Sequence, residues 1–232
     1  MTKIVDRVNQ LKTSINEACA RVGRQPSEIT TVIVTKSATI EAIRKVLRLG
    51  FCDLGENRVQ QLKTVAGEIA DNSDCADIRW HMIGHLQRNK VKQVLPLTML
   101  IHSVDTLRLA EEISHTATGL KRKAKVLLQV NTSNEPQKYG VPVGAATHLA
   151  EQMETLPGIE MSGLMTMAPL TRNKDVVRAC FVRARELFLE MQGERIVGPS
   201  FTELSMGMSS DYEIAIEEGA TILRVGSAIF AG

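Results

Sequence analysis

Lys36 stands just past the β-branched run ITTVIV (29–34), in the stretch VIVTKSAT. A lysine leaving such a strand into the mouth of a barrel is partly dehydrated. Dehydration lowers its pKa and leaves a free amine able to attack an aldehyde. A lysine that only snorkels from a strand end gives the same local pattern. Two later segments bear on the choice. ELSMGMSSD (203–211) and LRVGSAIF (223–230) each supply Gly and Ser immediately before a helical pattern. Free backbone N–H groups and hydroxyls in such places hold phosphates. Ser209 and Ser227 taken singly are ordinary helix caps. Two such loops facing one lysine are harder to explain by capping. Arg224 precedes Gly226 by two residues and so shares its strand face. It either forms an ion pair or donates to the ring nitrogen of a bound pyridine, since it keeps its proton.

Other positions carry weaker signals. Asn57, in LGENRVQQ, caps a helix or lines the mouth. His81 and His85 in WHMIGHLQRNK are four apart, but the segment passes from strand to loop through Gly84. They share no helical face, and a metal site is not expected. Asn131 and the Lys138-Tyr139-Gly140 turn line the mouth or shape their loop. Met165, Met167, Met206 and Met208 read as core filler. Cys19, Cys52, Cys75 and Cys180 are far apart, with no Cys-x-x-Cys pair, and are expected as reduced, mostly buried thiols.

These residues need a frame to hold them. Ile4, Val8, Leu11, Ile15, Ala18 and Val22 recur at helical spacing, with Gly23 as a C-cap, so the chain opens on an amphipathic helix. From Ile29 onward strand and helix patterns alternate. Strands are predicted at 29–34, 51–54, 78–83, 99–104, 126–130, 159–165, 203–205 and 221–225. Helices are predicted over IEAIRKVLRL (40–49) and at 59–70, 89–94, 107–117, 145–156, 176–192 and 212–218. Eight strands separated mostly by helices imply an α/β chain forming one (β/α)8 barrel of the TIM type, with an extra N-terminal helix. A doubly wound open sheet is the alternative. One domain spanning 1–232 is expected. In such a barrel chemistry lies at the C-terminal strand ends, with phosphate sites after strands seven and eight. NTSNEPQKYGVPVG (131–144) reads as one long loop after the fifth strand.

Composition removes other classes. The 232 residues carry 28 basic and 26 acidic side chains, mixed along the chain, and 3% aromatics. That gives neither a one-sided basic patch nor stacking platforms, so nucleic acid is not an expected partner. The opening stretch is charged throughout and lacks the apolar centre of a signal peptide. No apolar run approaches the ~20 residues of a membrane helix. A soluble, cytoplasmic chain with no membrane partner is expected, as a monomer or weak dimer.

VTKSAT, GENRVQQ, WHMIGHLQRNK, Gly163-Leu164-Met165, LSMGMSSDYEIAI and LRVGSAIF together resemble the pyridoxal phosphate homeostasis protein family, relatives of the alanine racemase N-terminal barrel (PLP fold type III). The likeness runs almost end to end. It implies that Lys36 carries pyridoxal 5′-phosphate as an internal aldimine. It also implies that Ser205, Gly226 and Ser227 help hold the phosphate, that Arg224 faces the pyridine nitrogen and that Asn57 lies near the ring. Ser209 and the backbone at Met206 are implied neighbours of the phosphate. Arg58 departs from a tyrosine seen in many members, and Ser227 from a common threonine, which loosens the phosphate clamp slightly.

The resemblance leaves carrier and enzyme to be separated. A racemase moves protons on both faces of its substrate and needs two positioned acid–base groups. In the racemase relatives the second is a tyrosine from a further C-terminal β domain, which is not expected here because the sequence ends at Gly232. The tyrosines present are Tyr139 and Tyr212. An arginine opposite the ring nitrogen discourages its protonation and weakens carbanion stabilisation. The expected role is therefore non-enzymatic: involvement in vitamin B6 homeostasis by holding the cofactor, limiting its free concentration and delivering it to apo PLP-dependent enzymes. A weak fold-type III amino-acid racemase is the alternative, and a Schiff-base aldolase acting on a sugar phosphate a more distant one.

Overall fold

The computed structural model describes residues 2–70, 77–133, 135 and 137–231. Its strands are β1 (Thr30–Val34), β2 (Asp53–Glu56), β3 (Arg79–Met82), β4 (Leu100–Val104), β5 (Ala124–Asn131), β6 (Val141–Pro142), β7 (Ile159–Met165), β8 (Glu203–Met208) and β9 (Ile222–Val225). Every pairing is parallel. The order runs β4-β3-β2-β1-β9-β8-β7-β5, and β4 pairs with β5 to close the ring. The expected eight-stranded barrel is therefore present. The two-residue β6 lies outside the ring and pairs with β5 at Val130↔Val141, inside the stretch read as loop.

The barrel forms because its strands are apolar on both faces. Val32, Leu100, Leu127, Met165 and Ile222 point inward and pack together. Their neighbours Ile33, Leu54, Ile101, Val126, Leu128, Leu204 and Leu223 point outward into the larger core under the helices. Those helices are α1 (Thr2–Arg21), α2 (Ile40–Arg48), α3 (Val59–Ala70), α4 (Val91–Val94), α5 (Leu107–Gly119), α6 (Val143–Glu154), α7 (Lys174–Gly193), α8 (Tyr212–Glu217) and α9 (Ser227–Phe230). α7 starts two residues before its apolar pattern because Asn173 accepts hydrogen bonds from Asp175 and Val176 N–H. α1 buries Val8, Leu11, Ile15 and Ala18, one stripe at helical spacing, against α8 and α9. Each large side chain so buried contributes about 1.5–3 kcal/mol. Arg7 fastens the contact by donating to the Ile229 carbonyl at 3.1 Å.

Three expectations need correction. β2 is shifted to Asp53–Glu56, and Phe51 and Cys52 precede it. β8 continues to Met208, because Gly207 adopts φ +91° and carries the chain through a bulge. Cys52 is disulfide-bonded, not reduced, whereas Cys19 and Cys180 are free and buried. The expectation for Cys75 lies outside the described residues. No described helix is long and apolar enough to cross a membrane.

Candidate functional site

The C-terminal strand ends bring the first and last strands together. β1 and β9 are hydrogen-bonded neighbours, with Val32 opposite Arg224. A Cβ built on Gly226 would sit 3.1 Å from both the Cβ and the carbonyl oxygen of Val34, so this turn rests directly on the end of β1. The Thr35 N–H donates to Gly55 O at 3.0 Å and carries the ladder one residue past β1. Lys36 follows Thr35, two residues beyond the end of β1. Gln61 donates to the Lys36 carbonyl at 2.8 Å and ties this rim to α3. Lys36 itself is exposed, which corrects the expected dehydration. β1 has ended at Val34, and a turn at Lys36 and Ser37 carries the chain outward to the Thr39 cap of α2.

The β8 bulge brings the second loop to the same place. Ser205 pairs with Ile222 and Met208 with Arg224, so three steps on β8 match two on β9. Beyond the bulge the Ser209 hydroxyl accepts from the Gly226 N–H at 3.2 Å and the Ala228 N–H at 3.1 Å. Ser209, Gly226 and the exposed Ser227 thus form one cluster. Met206 turns a fully buried side chain into the outer core, so only its backbone is available to a ligand. Asn57 follows β2. Its backbone is packed so tightly on Gly84 that a Cβ there would lie 2.2 Å from Asn57 O. Any side chain at position 84 would push Asn57 away.

Ser205 occupies a different level. Its pairing with Ile222 sets it four residues below Gly226, about 13 Å along the strand. Its fully buried hydroxyl accepts from Arg224 Nη1 at 2.6 Å and lies 3.0 Å from His102 Nδ1. The residue expected on the phosphate instead supports the arginine. Arg224 is 4% exposed, and its Nη2 donates to the Thr166 carbonyl at 2.8 Å. Burial pulls its pKa down to about 10, although the Asp211 carboxylate opposes the shift. Among the described residues it forms no ion pair with a carboxylate. Two of its five N–H donors are used, so three remain.

Below Arg224 the barrel holds polar groups that the sequence reading did not connect. His102 Nε2 lies 2.9 Å from His81 Nδ1, and His81 Nε2 lies 3.0 Å from Asp53 Oδ1. Arg79 holds both Asp53 oxygens, at 2.8 and 2.6 Å. Burial raises the Asp53 carboxyl, but the hydrogen bonds from His81 and Arg79 outweigh it and set its pKa at about 2. Burial, with the Arg224 cation nearby, holds His102 well below the usual imidazole range. The available signal was a polar residue at alternate positions of apolar strands. Beside the rim, burial raises the Glu56 carboxyl against the hydrogen bonds from Thr35 and the Asn57 N–H, and one of its oxygens has no partner among the described residues.

The alanine racemase N-terminal domain model matches residues 8–232. A relative named pyridoxal phosphate homeostasis protein, from Aquifex aeolicus (strain VF5), is 39% identical over 97% of this chain and 96% of its own. The crystal structure of an unknown protein from Bifidobacterium adolescentis superposes with TM-score 0.91 at 36% identity, covering 98% of this chain and 94% of that one. PipY of Synechococcus elongatus PCC7942, with PLP bound, superposes with TM-score 0.81 at 34% identity, covering 94% of this chain and all of that one. With its parallel barrel, its lysine rim and its paired Gly/Ser turns, the chain belongs to the alanine racemase N-terminal domain family and, within it, to the pyridoxal phosphate homeostasis proteins.

Proposed function

We propose that this chain, acting over residues 1–232 as one unit, holds pyridoxal 5′-phosphate through Lys36 and buffers or delivers it to apo-enzymes without turning over a substrate. One juxtaposition carries the reading. The Gly226 turn rests on the end of the strand that precedes Lys36, with the buried Arg224, ion-paired to no carboxylate among the described residues, two positions before that turn. When bound, the cofactor supplies an aldehyde that condenses with a primary amine. Lys36 is the amine at that rim, and its exposure leaves it open to an incoming aldehyde. The Gly226 and Ser227 backbone and the Ser209 and Ser227 hydroxyls are the groups to hold a phosphate, and Asn57 is the side chain to border the ring. The three spare N–H donors of Arg224 suit a pyridine nitrogen as acceptor. The Aquifex relative's name and the PLP in the PipY structure support the same assignment.

Arg224 also supports a carrier over an enzyme. A donor that keeps its proton leaves the ring nitrogen unprotonated and the ring a poor electron sink. The loop tyrosine, Tyr139, is 56% exposed and stacked on His85 at 4.2 Å between ring centroids. A stacked, solvent-facing phenol is poorly placed for proton transfer at a buried carbon.

The test is borohydride reduction of protein loaded with PLP, followed by visible spectra and peptide mass mapping. Wild type should bleach and carry the adduct on Lys36, and Lys36→Ala should stay colourless. An adduct of equal yield on Lys36→Ala would overturn the assignment.

A further inference from the structure

We propose that Asp53, His81, His102 and Ser205 are positioning residues for Arg224: a one-way hydrogen-bond chain that fixes which of its N–H groups stay free for the bound ring. The ring's identity rests on the function proposed above; the chain itself does not.

Counting hydrogens sets the direction. Arg224 can only donate, so Ser205 Oγ accepts at 2.6 Å. The single hydroxyl hydrogen then goes to His102 Nδ1 at 3.0 Å. His102 Nδ1 is therefore an acceptor, and its proton sits on Nε2, which donates to His81 Nδ1 at 2.9 Å. His81 in turn donates from Nε2 to Asp53 Oδ1 at 3.0 Å. Asp53 accepts, and Arg79, its side chain 46% exposed, donates to both carboxylate oxygens. Every hydrogen shared along the line from Arg224 to Asp53 finds an acceptor, with one proton on each imidazole.

The opposite arrangement fails at Ser205. With the proton on His102 Nδ1, two donors point at one hydroxyl, and the hydroxyl hydrogen has no acceptor. Ser205 and His102 are both fully buried and His81 is 1% exposed, so water does not rescue it. An unmatched buried donor is strongly disfavoured. An imidazolium at either histidine meets the same obstacle and adds a second buried cation beside Arg224.

The chain spends interior space that apolar side chains normally fill in this architecture. What it gains is orientation. Nη1 is held on Ser205 and Nη2 on the Thr166 carbonyl, so the guanidinium plane has two anchors and cannot swing. Asp53 at the start of β2 polarises the line from its solvent-facing end.

The test uses apo-protein labelled with 15N-histidine, and long-range 1H–15N correlation at pH 7. His81 and His102 should both appear as neutral Nε2–H tautomers. A Nδ1–H tautomer or an imidazolium at His102 would overturn the proposal. A second arm titrates PLP into wild type, Ser205→Ala and Ser205→Thr. Loss of the hydroxyl should weaken PLP binding about tenfold and displace the visible band, and threonine should restore both. Ser205→Ala with wild-type affinity and band would refute the positioning role. Wild type that takes up no PLP refutes the proposed function, and the tautomers then decide the chain alone.

Discussion

Replacing Gly84 by alanine adds one methyl group where there is no room. The new Cβ would lie 2.2 Å from Asn57 O and 2.7 Å from Asn57 Cα, against the ~3.5–4.0 Å of an ordinary contact. More than about 1 Å must open between two backbones. Neither yields easily, since the Ile83 N–H donates to Glu56 O at 2.9 Å and the Thr35 N–H to Gly55 O at 3.0 Å. Overpacking of this kind costs about 1–3 kcal/mol. At ~2–4 °C per kcal/mol in a chain of this size, the melting temperature should fall by ~2–12 °C. Gly67→Ala is the matched control. Gly67 is exposed inside α3 with nothing within 4 Å of a Cβ, so the same methyl should stabilise by roughly 0.5–1 kcal/mol. Thermal melts of the two apo variants beside wild type should therefore move in opposite directions. Gly84→Ala melting at or above wild type would refute the argument that Asn57 is seated by the missing side chain.

Two further outcomes concern pH. The Asp53 carboxyl sits at about 2 when folded, below its ordinary ~3.9, so its stabilisation is present above ~3.9 and lost as pH falls through 2. Wild type should lose about 2.5 kcal/mol between about pH 5 and pH 1 in denaturant titrations, and Asp53→Asn should lack this component. Identical acid profiles would count against the ion-paired carboxylate. Glu56 has the opposite sign: burial raises its pKa, so stability is greatest below the ordinary glutamate range and falls as pH rises through the raised value. Glu56→Gln does not titrate, and its melting temperature relative to wild type should climb between pH 4 and pH 9. A constant difference would show that folding leaves the Glu56 pKa unshifted.

Periodicity carried most of the frame. β7 and α3 fall on the predicted residues because their apolar positions follow one period without interruption. β2 was misplaced because Phe51 and Cys52 look like strand, whereas the strand opens on inward-facing Asp53. β8 was cut short because a glycine reads as a terminator unless its neighbours reveal a bulge. At the site, Lys36, Arg224, Gly226 and Ser209 were legible as residue types at strand ends. Ser205 was not, since only the register with Ile222 separates its level from that of Ser209. The exposure of Lys36 depends on where β1 stops, which local composition does not dictate. Asp53 and His102 carry no signal of their own, and His81 reads only as a rejected metal ligand, because a polar residue in an apolar run suggests a break until three strands are set side by side.

The pairing of β1 with β9 has a consequence for how the protein is made. Lys36 leaves the ribosome about 190 residues ahead of Arg224 and Gly226, roughly 10–40 s earlier at 5–20 residues per second. During that interval the nascent amine has no opposite wall, and any aldehyde it meets is held by one reversible bond. With Lys36 as the proposed anchor, vitamin capture is thereby deferred until translation is almost complete.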